Sequence, residues 1–282
     1  MEGLVVNIGY LETSVVPVFD GRPMYVYAQY SSIAGKALEE YLGKVLTQYG
    51  AYSIVEVGGF NNKLPKSFVT KKLCNHIIHN FIFASPVAPP KGLAISSESS
   101  ETDSPLVCKE LLSFYSQTLI ASELDFAWEL ENSQAIRIRL PGWVREHILE
   151  VVFLGDPEVD KLGITELVLR SIKAVPVDLR RTMASNLLIT GGLADIPNIR
   201  PRLLADISSA LYEVPGWNTL AESAKLAEES TEDKQTDGTP LLSSGIVFLS
   251  SDRAWIGTSL ACSAGFNSTK ATLDNLCTFS FS

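Results

Sequence analysis

The stretch that decides the fold is "VVNIGYLETSVVPVFDG", residues 5–21. Apolar runs on both sides of a polar turn predict two β-strands joined as a hairpin. The turn, residues 7–13, contains Asn, Gly and Thr, and backbone N–H groups in such a turn can cradle a phosphate. Tyr10 and Leu11 are bulky for a loop of this kind, and its first carboxylate is Glu12. The hairpin therefore predicts either a working phosphate loop or the remnant of one.

Composition bounds the class of protein. The chain has 282 residues, of which 46% are hydrophobic and 20% charged, as expected for one large globular domain or two modest ones. A net charge of -9 argues against nucleic acid as the main partner, because phosphate binding needs clustered Lys and Arg. No apolar run approaches the ~18 residues of a membrane span, and no signal peptide is evident. Four widely spaced cysteines without a CxxC pair favour a reducing compartment, so we expect a cytoplasmic protein without membrane insertion.

Helices and strands alternate along the remaining chain, which indicates an α/β or α+β architecture. Apolar spacing predicts helices within 31–50, 66–83, 164–185 (with a proline break) and 201–214, a buried strand at 187–189, and a hairpin around Asn132-Ser133. Ser31 or Ser32 is the expected N-cap of the first helix, and Gly50 its expected end. The Pro- and Ser-rich residues 84–107 and the acidic residues 221–239 are predicted to be loops.

A second glycine-containing stretch, "ITGGLADIPNI" at residues 189–199, also has a shape used for nucleotides. A buried strand that runs into Gly191-Gly192 and then a helix brings backbone close to a ligand. On its own this pattern more often marks a tight turn. Gly35 in "IAGKAL" has the same two interpretations, room for a ligand or close packing.

Three segments taken together resemble actin and the actin-related proteins in sequence and in order. They are "VVNIGYLETSVVPVFDGRPM", "IAGKALEEYLGKVLTQYG" and "GITELVLRSIKAVPVDLRRTMASNLLITGGLADIPNIRPRLLADI". "WELENSQAIRI" is similar to a hairpin of the family, and "AWIGTSLACS" is similar to its C-terminal Trp-Ile-Gly motif. The resemblance extends to about Ala264. It implies an α/β protein with the actin-like ATPase-domain fold, which is ribonuclease-H-like.

The resemblance also implies an incomplete version of this fold. The family's first phosphate hairpin and most of its subdomains 1 and 2 precede the position that matches Met1, so the chain is expected to be shortened and to contain mainly subdomains 3 and 4. The implied division is as follows: 1–35, start of subdomain 3; 36–138, subdomain 4 with the flexible loop 84–107; 139–250, remainder of subdomain 3 with the acidic loop 221–239; 251–282, a partial return to subdomain 1 and a divergent tail.

The family's nucleotide site maps onto six positions of this chain: Asn7, Gly9, Thr13, Gly35, Gly191 and Gly192. Asn7 stands where the family has an acid near the metal, and a neutral amide lacks the charge that Mg²⁺ needs. Tyr10 and Leu11 stand where the family usually has Asp and Gly. On the adenosine side the chain has Thr70-Lys71, Ile196 and Ser251 instead of the family's residues. We therefore expect a vestigial site with no catalytic residue, no metal and no ATP cofactor; the glycines are also explained as requirements of the turns.

Two other groups of residues leave alternatives open. His76 and His79 have helical spacing for a shared metal, but without a third ligand a structural role is favoured. Trp143 and Trp217 are either half-exposed interface anchors or core residues, and core packing is the favoured interpretation.

Within the family, the chain most resembles the divergent actin-related member of dynactin's pointed-end complex. This implies a non-catalytic structural subunit in the cytoplasm and cytoskeleton that caps the pointed end of dynactin's actin-like filament. Its implied partners are the filament subunits and other pointed-end subunits, with dynein as an indirect partner. The alternatives are an ATP-binding actin-superfold protein with residual nucleotide function, a shortened form that binds a subset of partners, and a nuclear actin-related subunit.

Overall fold

The hairpin at the start of the chain lies at the centre of a mixed β-sheet. The computed structural model describes residues 2–54, 62–86, 88–89, 107, 109–118, 120–130, 133–156, 161–218 and 247–248. The strands of this sheet are β1 (Gly3–Ile8), β2 (Thr13–Phe19), β3 (Arg22–Pro23), β4 (Gln29–Ser31), β11 (Leu187–Thr190) and β12 (Val247–Phe248). β1 pairs antiparallel with β2 and parallel with β11, which pairs parallel with β12, while β3 and β4 both pair with β2. The predicted hairpin and buried strand are confirmed.

A second sheet of four antiparallel strands lies in the middle of the chain. Its strands are β5 (Ala51–Ile54), β6 (Asn62–Lys63), β7 (Leu124–Glu129) and β8 (Ala135–Leu140), in the order β6-β5-β8-β7. The antiparallel pairing of β7 with β8 confirms the hairpin predicted there, and Ser133 in their connection has φ 60°. A two-residue ribbon, β9 (Gly155–Asp156) with β10 (Lys161–Leu162), forms a third pairing.

Eight α-helices are described, and buried apolar residues of all of them except α3 join the main core. They are α1 (Gly35–Tyr49), α2 (Lys71–Phe81), α3 (Lys109–Thr118), α4 (Gly142–His147), α5 (Glu150–Leu154), α6 (Ile164–Ala174), α7 (Val177–Ser185) and α8 (Ile199–Glu213). One large cluster of buried apolar residues runs from the first sheet to the second. A small separate cluster contains Val107, Leu111 and Tyr115. The architecture is α/β, with helices packed on two β-sheets.

Helix starts differ from the prediction in two places. The N-cap of α1 is Ala34, with no side-chain cap; the Ser31 hydroxyl donates instead to the Leu162 carbonyl, so the prediction of a serine cap is wrong. The second helix begins five residues later than predicted, because Thr70 caps it by accepting a hydrogen bond from the Leu73 N–H. Gly50 follows the last turn of α1 and donates to the Leu46 carbonyl, as predicted.

The predicted loop at 84–107 has no helix or strand at its described start, residues 84–86, but this start is buried. Ala84 and Ser85 are completely buried because their backbone groups are bound by the core: the Ala84 N–H donates to the Pro197 carbonyl and the Arg202 side chain donates to the Ser85 carbonyl. Helix α3, which follows this segment, was not predicted.

Several predictions fall outside the described residues. They concern most of the loop 84–107, the acidic loop 221–239, the Trp-Ile-Gly motif, Ser251 and the tail to residue 282. The domain boundaries at 35/36, 138/139 and 250/251 stay predictions. Among the described helices, none is both long and apolar enough to cross a bilayer.

Candidate nucleotide site

The turn of the β1–β2 hairpin adopts ordinary backbone conformations. The Gly9 N–H donates to the Glu12 carbonyl at 3.1 Å, which closes the turn. Neither Tyr10 nor Leu11 has a positive φ, so these bulky residues fit without backbone strain. Asn7 lies at the end of β1, in register with Thr190 of β11.

Helix α1 begins directly against this turn. The Gly35 N–H donates to the Gly9 carbonyl at 3.0 Å, and the Lys36 N–H donates to the Tyr10 carbonyl at 2.7 Å. A Cβ on Gly35 would lie 3.3 Å from both Cα and Cδ2 of Tyr10, which explains this glycine by close packing. A helix N-terminus binds anions through its unsatisfied N–H groups. At α1, two of these groups are already bonded to the turn.

The two glycines after β11 have different environments. Gly191 has φ +106°, and a Cβ there would overlap backbone atoms of Ile8. Gly192 has no atom within 4 Å of an added Cβ and is exposed. The structure thus brings Gly9, Gly35 and Gly191 together around the end of β1. Gly192 lies beside them without any steric need for glycine.

Thr13 serves the fold. It is buried, and its hydroxyl donates to the Ile33 carbonyl at 2.7 Å. This bond ties β2 to the chain that enters α1. Ile196, on the adenosine side of the resemblance, is likewise buried.

The Tyr10 side chain links the turn to two helices. Its hydroxyl donates to Glu39 Oε2 at 3.0 Å and accepts from Lys71 Nζ at 2.8 Å. The Lys71 ammonium also lies 4.5 Å from the centroid of the Tyr10 ring. The hydrogen bond to Tyr10 raises the pKa of Lys71, so this residue stays cationic. The three residues, which we call the Tyr10 bridge, connect the turn, α1 and α2.

The sequence singles out two members of the Tyr10 bridge without connecting them. Tyr10 is bulky for a phosphate loop, and Lys71 is a departure on the adenosine side. Glu39 carries no motif that marks it. Its i+4 spacing from Gly35 places it over the start of α1, and this was the available signal.

The histidine pair has separate environments. His76 packs against the rings of Phe81, Phe126 and Trp128, with centroids 5.2–5.9 Å apart, while His79 is exposed. In the part of the chain that the structure describes, no three His, Cys, Asp or Glu side chains form a group that would hold a metal ion.

The two tryptophans left open by the sequence both pack against the main core and are only partly buried. The Trp143 ring lies edge-on to Tyr49, with centroids 5.0 Å apart. Trp217 lies under the Arg180 guanidinium at 5.4 Å.

A buried polar cluster beneath α4 was missed entirely by sequence reasoning. Arg202 makes a two-pronged ion pair with Glu150, at 2.7 and 2.8 Å, and both residues are at most 1% exposed. His147 lies between two tyrosine hydroxyls, Tyr41 at Nε2 and Tyr115 at Nδ1. Burial lowers the pKa of His147 to about 4, so the ring is neutral at physiological pH. One nitrogen of a neutral imidazole donates and the other accepts, and two hydroxyls can satisfy both.

Comparisons with known proteins identify the family. A sequence profile of the actin family, described as Actin, matches residues 1–74 and 132–269. Actin-related protein 4 of Yarrowia lipolytica is 25% identical over 278 residues, covering 93% of this chain and 55% of the relative. Actin-like protein ARP6 of Saccharomyces cerevisiae is 23% identical over 245 residues, covering 79% and 50%.

A third relative, Actin-like protein arp10 of Schizosaccharomyces pombe, is 22% identical over 254 residues, covering 85% of this chain and 62% of the relative. The chain spans about half the length of most of these relatives. Because the family profile covers well over half of the sequence, the chain belongs to the actin family.

Proposed function

We propose that this protein is a non-catalytic structural subunit that no longer uses the nucleotide site of its family. The observation that carries the proposal is the Tyr10 bridge. A side chain from the turn reaches Glu39 and Lys71, and in the sequence resemblance the nucleotide lies between these segments.

The residues present do not fit a metal-bound nucleotide. The first two N–H donors of α1 are bonded to the Gly9 and Tyr10 carbonyls, and Asn7 brings no charge to the position of the family's acid. Phosphoryl transfer depends almost entirely on metal and positioning. Without both, we expect no ATP turnover.

The test of this part is direct. The full chain, incubated with Mg²⁺ and ATP, is expected to release no phosphate above a buffer blank and to retain no nucleotide after desalting. Magnesium-dependent turnover that disappears in a Gly9→Val variant would contradict the proposal.

The partner assignment rests on sequence resemblance to the actin-related member of dynactin's pointed-end complex. A heterologous interface continues a filament only while both ends of each subunit match. A family member that matches its neighbour on one side and departs from it on the other ends the polymer. We infer that the protein caps the pointed end of dynactin's actin-like filament in the cytoplasm, and so supports dynein-driven transport along microtubules.

The second candidate is a nuclear actin-related subunit, a role that other members of the family have in chromatin remodelling. The identities to relatives named Actin-related protein 4 and ARP6 are similar to that of arp10. Sequence identity therefore favours neither dynactin nor a nuclear assembly as the complex that contains this protein.

One experiment separates the two candidates. The full chain, tagged and expressed in its own cell type, is recovered in parallel from cytosolic and nuclear extracts, and its co-purifying proteins are identified by mass spectrometry. Dynactin subunits in the cytosolic sample support the first candidate. Chromatin-remodelling subunits without dynactin would overturn it in favour of the second, and recovery of neither set would contradict both.

A further inference from the structure

The segment between α2 and β7, residues 82–123, lies wholly inside the part of the chain that the actin profile does not match, residues 75–131. The structure describes both ends of this segment and its helix α3. We call residues 82–86 its outgoing stem and residues 120–122 its returning stem. Both stems contact one short helix, α4.

Arg145 of α4 binds the chain at both stems. Its Nε donates to the Phe81 carbonyl at 3.0 Å, next to the outgoing stem, and its Nη1 donates to the Ser122 carbonyl at 3.3 Å in the returning stem. The Arg145 carbonyl accepts from the Phe83 N–H. Arg145 thus connects the two ends of this segment by hydrogen bonds.

Glu146 repeats this arrangement with its carboxylate. Oε2 accepts from the Ser85 hydroxyl at 3.2 Å, and Oε1 accepts from the Ala121 N–H at 2.9 Å. Glu146 is only 1% exposed. At the start of the same helix, a Cβ on Gly142 would overlap the Ala121 carbonyl, so the returning stem is packed directly on α4.

His147 holds helix α3 itself. The Tyr115 hydroxyl of α3 lies 3.1 Å from His147 Nδ1. The apolar support of α3 is small, since its buried residues form a cluster of three with Val107, apart from the main core. Around that cluster pack Tyr49 of α1 and Trp143 of α4.

We propose that Gly142–His147 is a clamp, and that α3 can leave the core as a unit while the two sheets stay folded. A ten-residue helix is marginal in water by itself, and a cluster of three buried side chains gives it little burial. Its docking therefore depends on the clamp. Release of α3 uncovers the aromatic face formed by Tyr49 and Trp143. This inference does not rest on the proposed function.

Two matched variants on the same histidine test the proposal. Tyr115→Phe removes the hydroxyl that comes from α3, and Tyr41→Phe removes the hydroxyl that comes from α1. Backbone hydrogen exchange of the full chain is followed by mass spectrometry under native conditions. Amides of residues 109–118 are expected to exchange by local opening, faster than amides of residues 38–49.

The expected results are specific to each variant. Tyr115→Phe leaves a buried nitrogen without its partner only while α3 is docked, so exchange within α3 rises about tenfold. Tyr41→Phe removes a bond that persists when α3 is released, so it speeds exchange within α1 and leaves the local opening of α3 unchanged. Equal acceleration of α1 and α3 by Tyr41→Phe would overturn the proposal, because α3 would then open only together with α1.

A third variant guards against a general loss of folding. Leu111→Ala removes apolar contact from α3 alone. We expect faster exchange in α3 with no change in the urea midpoint of peptides from the β1–β2 hairpin. A fall of that midpoint together with faster exchange in α3 would mean that α3 belongs to the main cooperative unit, and the proposal would be wrong.

Discussion

The Tyr10 bridge and the α4 clamp are both polar networks that join distant elements, but one lies at the surface and the other is buried. Tyr10 is 43% exposed, whereas Glu146 and His147 are each 1% exposed. Exposed pairs contribute little because water and salt compete for each charge. A buried polar group without its partner destabilises the folded state by the full cost of its desolvation. The same kinds of bonds are thus expected to be dispensable in one region and essential in the other.

The largest effect is expected at the ion pair beneath the clamp. Arg202→Met leaves Glu150 buried without its partner, and losing one member of such a pair costs about 3–5 kcal/mol. Urea unfolding followed by circular dichroism measures the change in the free energy of unfolding.

The matched control replaces both charges. Glu150→Leu together with Arg202→Met removes the uncompensated charge, so most of the lost stability should return. A double variant as unstable as Arg202→Met alone would show that other bonds of Arg202, to Ser85 and Asp206, carry the stability.

The second effect is a pH dependence that originates at His147. Burial lowers the pKa of His147 to about 4, while an unfolded histidine titrates near about 6.5. Between these values the unfolded chain binds a proton that the folded chain does not. Stability is therefore lost as pH falls through this window, by up to about 3 kcal/mol.

Other buried groups also have shifted pKa values, so the contribution of His147 is measured against a variant that lacks it. Burial raises the pKa of Glu146, so in its own window the folded state binds more protons and stability increases as pH falls. Burial also raises the pKa of Tyr41 and Tyr115, which stay protonated throughout. The free energy of unfolding of the native protein should fall more between pH 7 and pH 4 than that of a His147→Gln variant; parallel curves would refute the assignment.

The third effect separates two neighbouring glycines. Gly191→Ala places a Cβ against Ile8 at φ +106°, and we expect a loss of about 1–3 kcal/mol in unfolding free energy. Gly192→Ala, with open space around the new methyl group, should change stability by less than about 0.5 kcal/mol. Chemical denaturation of both variants decides the matter, and equal losses would contradict the structural explanation of Gly191.

The smallest effect is expected at the Tyr10 bridge. Tyr10→Phe removes the hydroxyl that bonds Glu39 and Lys71 and keeps the ring in place. The urea midpoint should shift no more than in Leu11→Ala, an exposed neighbour, because exposed networks contribute little. A shift as large as that of Gly191→Ala would mean that the bridge holds the turn and helices together.

Features that depend on residues close together in the chain were predictable from the sequence, and features that depend on distant residues were not. The hairpin, the β7–β8 hairpin and the paired helices α6 and α7 were predictable, because each depends on apolar spacing and turn residues within one short segment. The start of α1 was not, since its caps are carbonyls of Gly9 and Tyr10, 26 residues earlier in the chain. Composition places Ala84 and Ser85 in a loop but does not predict their burial, because the groups that bind their backbone, the Pro197 carbonyl and the Arg202 side chain, are more than a hundred residues away.

By itself the sequence determined the two hairpins, the buried strand at 187–189, the longer amphipathic helices, the glycines of the two turns, and the neutral Asn7 in place of an acid. These properties follow from residue type and local periodicity. Only the tertiary structure decided that Tyr10 would meet Glu39 and Lys71, and that residues 85, 146, 150 and 202 would share one buried polar cluster. A buried charge is tolerable only beside its partners, and the path of the chain, which no local pattern contains, is what brings those partners together.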